Sequence, residues 1–389
     1  VDNPDAIVAP APENRAMGFG SIRIGRLAGI AIGVQPLWLL IVALITWSLG
    51  ATYYPEQVDG ISAVGAYGLG LLSALLLFAS ILLHELGHAI VARRNGVEIE
   101  EIDLWLLGGV ARMAGYPKTA SAELRFAIAG PAVTLVIGAL FVAVGAALPS
   151  SSPEALRALV DYQAFVNLAI LVFNLIPAFP LDGGRVARAV IWGRNGDVER
   201  ATEIAASIGR GFGVAMIALG VAGAVLGAFG GFWLALVGIF VMGAAKAEEK
   251  GLHVRVAFTG REAGRLMTSP AITIPADLDV ATAVEDYFIR HRHTAFPVTD
   301  AGGIVGLIDL GAVSRVPEAR RSETPVRAIV IDDPSLVVDE HQDVAELIER
   351  PAFQRVGRAV VDIPGKEPGI VSITDFKQVM RALELASAR

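Results

Sequence analysis

The chain has 389 residues, of which 54% are hydrophobic and 18% charged, with 42 glycines, no cysteine and a formal net charge of −7. Its mean hydropathy is +0.57. Ordinary soluble domains carry ~25% charged residues, so this is no typical cytosolic globule, and an acidic balance argues against a nucleic-acid binder. Without cysteine there is no disulfide, thiol nucleophile, iron–sulfur cluster or Cys-held zinc; any metal falls to His, Asp and Glu.

Residues 1–16 are polar, Pro-rich and open on Val1, so they read as a tail or remnant, with Met17 as a natural start and no cleavable signal peptide. Six apolar runs follow, at residues 37–54, 63–92, 122–148, 156–176, 204–227 and 232–245. A helix needs about 20 apolar residues to cross a roughly 30 Å hydrocarbon core. Five runs suffice; the last is short and pairs with the fifth across Gly230-Gly231 as a helical hairpin. Of three alternate links, 55–62 and 230–231 lack Lys and Arg, and 149–161 has only Arg157. The others carry Arg93, Arg94, Arg112, Lys118 and Arg125, then Arg185, Arg188, Arg194 and Arg200. By the positive-inside rule this is a multi-pass cell-membrane protein in the lipid bilayer with both termini cytoplasmic.

Toward the end of the second run stands His84-Glu85-Leu86-Gly87-His88. Residues i and i+4 share a helix face, so both imidazoles can reach one metal ion. Glu85 then sits beside the open coordination position, placed to take a proton from water on the metal. An intramembrane Glu flanked by two His is costly to bury unless it has a function. The bland alternative is a pair of histidines capping a polar bundle interior.

Residues 97–116 begin with period-two alternation and continue through Leu106-Leu107-Gly108-Gly109, which reads as a β-hairpin. Such a hairpin could offer an edge strand, near Gly108 and Gly109, to an extended chain, or simply cover the bundle.

A catalytic zinc usually takes three protein ligands, and no third membrane histidine exists. Most acids before residue 250, including Glu123, lie in links or at span ends. Asp182 instead follows an apolar run on the same side as the histidines, after Asn174-Leu-Ile-Pro177-Ala-Phe-Pro180-Leu and before Gly183-Gly184. The prolines end a helix there. Asp182 is therefore the favoured third ligand, the alternative being a helix N-cap.

From about residue 251 the composition turns soluble, with residues 246–253 as a short linker. Two similar halves follow, at about 261–320 and 326–389, each ordered strand, helix, strand, strand, helix. His291 and His293 sit among Arg290 and Arg292 and read as solvated.

The pairing of H-E-x-G-H with N-x-x-P-x-x-P-x-D-G-G resembles the site-2 protease family of intramembrane zinc metalloproteases, over roughly residues 22–245 and including Ala129-Gly130-Pro131. The resemblance implies one zinc on His84, His88 and Asp182, Glu85 as general base, and Asn174 binding the substrate backbone or oxyanion. It also implies a single-span membrane protein as substrate, for example an anti-sigma factor or signalling precursor. The soluble halves resemble a tandem CBS domain. Such pairs often bind an adenine nucleotide through a pattern that Gly369, Ser372 and Asp375 fit, whereas Gly306, Asp309 and Ala312 in the first half do not. The alternative is that Ser372 and Asp375 cap the following helix. CBS pairs also often dimerise, so a homodimer is expected.

The expected architecture is a polytopic α-helical membrane protein of about six transmembrane helices with a small β-sheet (residues 17–250), plus a C-terminal α/β tandem CBS domain (residues 251–389). The expected function is an intramembrane zinc endopeptidase regulated by the CBS pair. A CBS-gated transporter or channel is the alternative, but it has no need of both motifs together. A metal-free pseudoprotease is disfavoured because each expected catalytic residue is present.

Overall fold

Each of the six apolar runs becomes a membrane-length helix in the computed structural model, which describes residues 21–387 apart from 106, 107, 116 and 229. The N-terminal tail and the two leucines assigned to the hairpin turn thus lie outside the described residues. The structure divides into two units, Val1–Lys246 and Ala247–Arg389.

The first unit opens on a hairpin, β1 (Ile22–Leu27) and β2 (Ile30–Val34). The first span runs Pro36–Gln57, as α1 (Pro36–Ser48), a π-helical stretch (Leu49–Tyr53) and α2 (Tyr54–Gln57). Then come α3 (Ala63–Arg94), β3 (Glu98–Trp105), β4 (Gly108–Ala114), α4 (Ala120–Ala147), α5 (Glu154–Asn174), α6 (Asp182–Asn195), α7 (Val198–Val225) and α8 (Gly230–Phe258).

Local chemistry sets the helix starts. Pro36 occupies the first turn of α1, where a missing N–H costs nothing. Ser62, Thr119 and Asp197 each accept a backbone N–H from the residue three places on, at 3.1, 3.2 and 2.9 Å. Outward faces carry bare aliphatics such as Val136 and Leu219, as lipid-facing helices do. Glycines let helices touch: a Cβ on Gly87 would stand 3.0 Å from the Ala129 carbonyl of α4 and 2.9 Å from Val133.

Two differences from the sequence expectation stand out. Residues 246–253, expected as a short linker, are helical: α8 continues through them, because the Ala, Glu and Lys found there are good helix formers. The β1–β2 hairpin was not expected. Its strands turn through Ala28 and Gly29, both with positive φ (52° and 80°), the backbone of a tight hairpin turn. The four strands form one sheet in the order β1-β2-β3-β4, with β2 and β3 parallel and the other pairs antiparallel. Strand β4 lies at the edge.

The second unit contains α9 (Ala263–Leu266), β5 (Ile274–Pro275), α10 (Val280–Ala283), β6 (Ala295–Asp300), β7 (Gly303–Asp309) and α11 (Leu310–Ser314). It continues with β8 (Val337–Asp339), α12 (Val344–Glu349), α13 (Pro351–Val356), β9 (Arg358–Asp362), β10 (Gly369–Ser372) and α14 (Ile373–Ser387). Each half has a three-stranded sheet with one parallel and one antiparallel pairing, β5-β6-β7 and β10-β9-β8. The halves exchange backbone at their rims. Thr268 and Ile370 donate to each other's carbonyls at 2.9 and 3.0 Å, and Ile331 donates to Leu307 at 2.8 Å. The stretch 266–268, which by sequence leads the first half, thus pairs with the second.

Candidate metal centre

His84 and His88 sit one turn apart on α3, both buried. Their Nε2 atoms are 3.1 Å apart, and Asp182 closes the triangle with Oδ2 3.1 Å from His84 Nε2 and Oδ1 3.2 Å from His88 Nε2. Tetrahedral ligands with arms of ~2.0–2.1 Å stand about 3.3 Å apart, so the spacing suits a zinc-sized ion. Among the described residues this is the one group of three His, Cys, Asp or Glu residues whose ligand atoms converge this way.

The opposite ring nitrogens orient the imidazoles. His88 Nδ1 lies 2.8 Å from the Phe126 carbonyl oxygen. A carbonyl can only accept, so Nδ1 carries the proton and a neutral ring turns the Nε2 lone pair toward the centre. His84 Nδ1 lies 2.8 Å from Thr134 Oγ1, which accepts when Nε2 is a ligand. With both Nε2 atoms unprotonated, the converging lone pairs and the carboxylate repel unless a cation stands among them. Gly130 forms the wall behind them: a Cβ there would fall on His88 Nε2 and lie 2.6 Å from His84 Nε2. Phe126, Gly130 and Thr134 line one stripe of α4, and Gly87 on α3 admits that helix to contact distance.

Asp182 reaches the centre through the break between α5 and α6. Gly183 and Gly184 pack against backbone of residues 175–179, where a Cβ has no room. The N-cap position of α6 is Leu181, with no side-chain cap bond. This overturns the alternative reading of Asp182 as an N-cap: it is the first helical residue, and its carboxylate turns to the histidines.

A cavity of about 770 Å3 adjoins the centre, lined by His84, Glu85, His88, Gly108, Gly109, Asn174, Asp182 and Arg185 among others. Gly109 of β4 lies directly against the Glu85 side chain. Asn174 is the last residue of α5. Arg185 also stacks on Phe126, its Cζ 5.5 Å from the ring centre. The expected site residues of the membrane half therefore meet at one cavity. Sequence reasoning missed Thr134 and the Phe126 carbonyl. A hydroxyl in an apolar helix and a main-chain oxygen carry no motif, although a threonine facing a histidine-bearing helix is a usable hint.

In the second unit, Ser372 and Asp375 come together as a reciprocal cap of α14. The Ser372 hydroxyl and N–H donate to Asp375 Oδ2 at 2.7 and 2.9 Å, and the Asp375 N–H donates to Ser372 Oγ at 3.2 Å. Gly369 lies against the Met267 side chain.

Membrane-length helices around a His–His–Asp centre, with a glutamate beside it in a cavity, define the class: a multi-pass membrane metallopeptidase. A family profile described as Peptidase family M50 matches residues 72–160 and 149–219, and one described as CBS domain matches 263–318. A Mycobacterium tuberculosis protein bearing the name zinc metalloprotease Rip3 is 39% identical over 371 residues, covering 94% of each chain. Zinc metalloprotease MJ0392 of Methanocaldococcus jannaschii is 32% identical over 365 residues, covering 94% of this chain and 97% of its own. The solved site-2 protease from Methanocaldococcus jannaschii is 33% identical, covers 59% of this chain and 95% of its own, and gives a TM-score of 0.39. The chain belongs to peptidase family M50, the site-2 protease family of zinc metalloproteases, and carries a C-terminal CBS domain.

Proposed function

We propose that this protein hydrolyses peptide bonds within or beside the membrane-spanning segment of a single-span, membrane-anchored substrate, with both of its own termini cytoplasmic. The observation that carries the reading is the His84–His88–Asp182 triangle, with both imidazoles held from behind and Glu85 beside it. Zinc held by His84, His88 and Asp182 would supply Lewis acidity toward the scissile carbonyl and the attacking water near neutral pH.

The chain's own groups do the rest. The Glu85 carboxylate takes the proton from attacking water and returns it to the leaving amine nitrogen. The Asn174 amide N–H donates to a substrate carbonyl or to the oxyanion it becomes. A helix cannot be cut while its carbonyls are hydrogen-bonded within it. Strand β4, at the edge of its sheet with Gly108 and Gly109 in the cavity wall, offers backbone groups to an unwound segment.

The CBS pair is assigned a regulatory role through an adenine nucleotide at Gly369, Ser372 and Asp375, and a homodimer through the same domain. A nucleotide there must favour one arrangement of the pair to change the rate. The central test is zinc content of purified protein beside cleavage of a single-span test substrate, with Glu85→Gln as control. About one zinc per chain with metal-dependent cleavage is expected; metal-free active protein overturns the reading. Calorimetry with ATP, ADP and AMP tests the regulatory part, and no heat from any of them removes it.

A further inference from the structure

Helices α4 and α6 are joined by an ion pair that neither the motif nor the cavity contains. Arg188 Nε–H donates to Glu123 Oε1 at 2.7 Å, and its Nη2 reaches the same oxygen. Both side chains are at least 96% buried. The guanidinium also lies over the ring of Phe179, 5.0 Å from its centre. Phe179 is buried in the break that leads into Asp182.

The position of the pair matters more than its presence. Glu123 stands one turn before Phe126, whose carbonyl orients His88. Arg188 stands six residues after Asp182, about 9 Å along α6. The pair therefore ties the helix that aims one histidine to the helix that delivers the carboxylate. A buried ion pair is weak grounds for a role in stability, since apolar replacement of both partners is often neutral or stabilising. Its best-attested use is to fix one arrangement among several.

We infer that Glu123 and Arg188 are positioning residues for the metal centre, holding α6 in the register on α4 at which the Asp182 carboxylate meets both imidazoles, with Phe179 clamped beneath the guanidinium. The inference rests on the reading of His84, His88 and Asp182 as zinc ligands. Wild-type zinc content tests that reading separately.

The test is zinc affinity by chelator competition in the full-length detergent-solubilised protein, beside the metal-free thermal midpoint and the visible spectrum of the cobalt(II)-substituted form. The double variant Glu123→Leu/Arg188→Met removes both charges together. A metal-free midpoint no lower than wild type is expected, with zinc bound on the order of tenfold or more weakly and altered cobalt bands. Arg188→Lys keeps a charge but loses the planar fork and the stacking, and is expected to weaken zinc less. Affinity and cobalt spectrum equal to wild type in the double variant overturn the inference and leave a merely structural pair. If the double variant does not fold, Arg188→Lys decides: unchanged zinc affinity and spectrum overturn it, a weakened site supports it. Wild-type protein that takes up no zinc fails the underlying reading instead.

Discussion

The Phe126 carbonyl accepts the Nδ1–H of His88 at 2.8 Å, so the orientation of that imidazole is set by main chain. No side-chain substitution at residue 126 deletes the acceptor. The corresponding partner of His84 is a hydroxyl, Thr134 Oγ1, and can be removed cleanly. The centre thus has one support open to mutation and one that depends on the path of α4.

Thr134→Val keeps the side-chain shape and removes the acceptor. Zinc affinity is expected to fall about 10–100-fold, the usual effect of losing such an outer partner, and Thr134→Ser to restore most of it. Chelator competition measures both; wild-type affinity in Thr134→Val counts against the support.

Gly130→Ala places a methyl where the two Nε2 atoms converge. The imidazoles must give way to that methyl, and the helix-propensity gain of up to about 1 kcal/mol offsets part of the cost, so the metal-free thermal midpoint is measured beside zinc content. Zinc stoichiometry should drop sharply. Full zinc content in Gly130→Ala would show that the centre lies elsewhere.

Glu85→Gln removes the proton acceptor while leaving the three ligand side chains untouched. The variant is expected to hold about as much zinc as wild type and to cleave no test substrate. Retained cleavage would strip Glu85 of its role as base.

Asp182→Asn exchanges the anionic ligand for a neutral one of the same shape. Since Asp182 does not cap α6, the helix loses no cap bond. Normal yield, weak zinc retention and little proteolysis are expected, as metal analysis and the cleavage assay would show. Full activity reopens the identity of the third ligand.

Much of the centre was legible because its spacing is helical: His84 and His88 fall on one face by arithmetic, and Asp182 stands out once cysteine and other membrane histidines are absent. What escaped is informative. Glu123 and Arg188 looked like ordinary charges at a span end and in a link, since a helix starting near Asp182 does not by itself tell which of its charges is buried. The β1–β2 hairpin escaped because its strands are short and interrupted by Gly25 and Gly33, and basic residues disguise the alternation. Helix α8 was cut short because charge marks the end of an apolar run, not the end of a helix.

Glu262 lies 3.2 Å from His341 Nδ1 and holds the pKa of this exposed imidazole above its ordinary value. The interaction is complete below the ordinary imidazole range, about 6.5, and is lost as pH rises through the raised value. Glu262→Gln should bring the His341 titration back toward ordinary, followed by NMR of labelled histidine. An unchanged midpoint would place the cause outside Glu262.

The crossed pairing of Thr268 with Ile370 and of Ile331 with Leu307 means that neither CBS half completes its sheet rim from its own sequence. Opening one half withdraws hydrogen bonds from the other, so the two share a single unfolding event. Amide hydrogens at Ile370 and Ile331, in different parts of the chain, should therefore give a common free energy of opening, after correction for their intrinsic exchange rates, under conditions where exchange reports global opening.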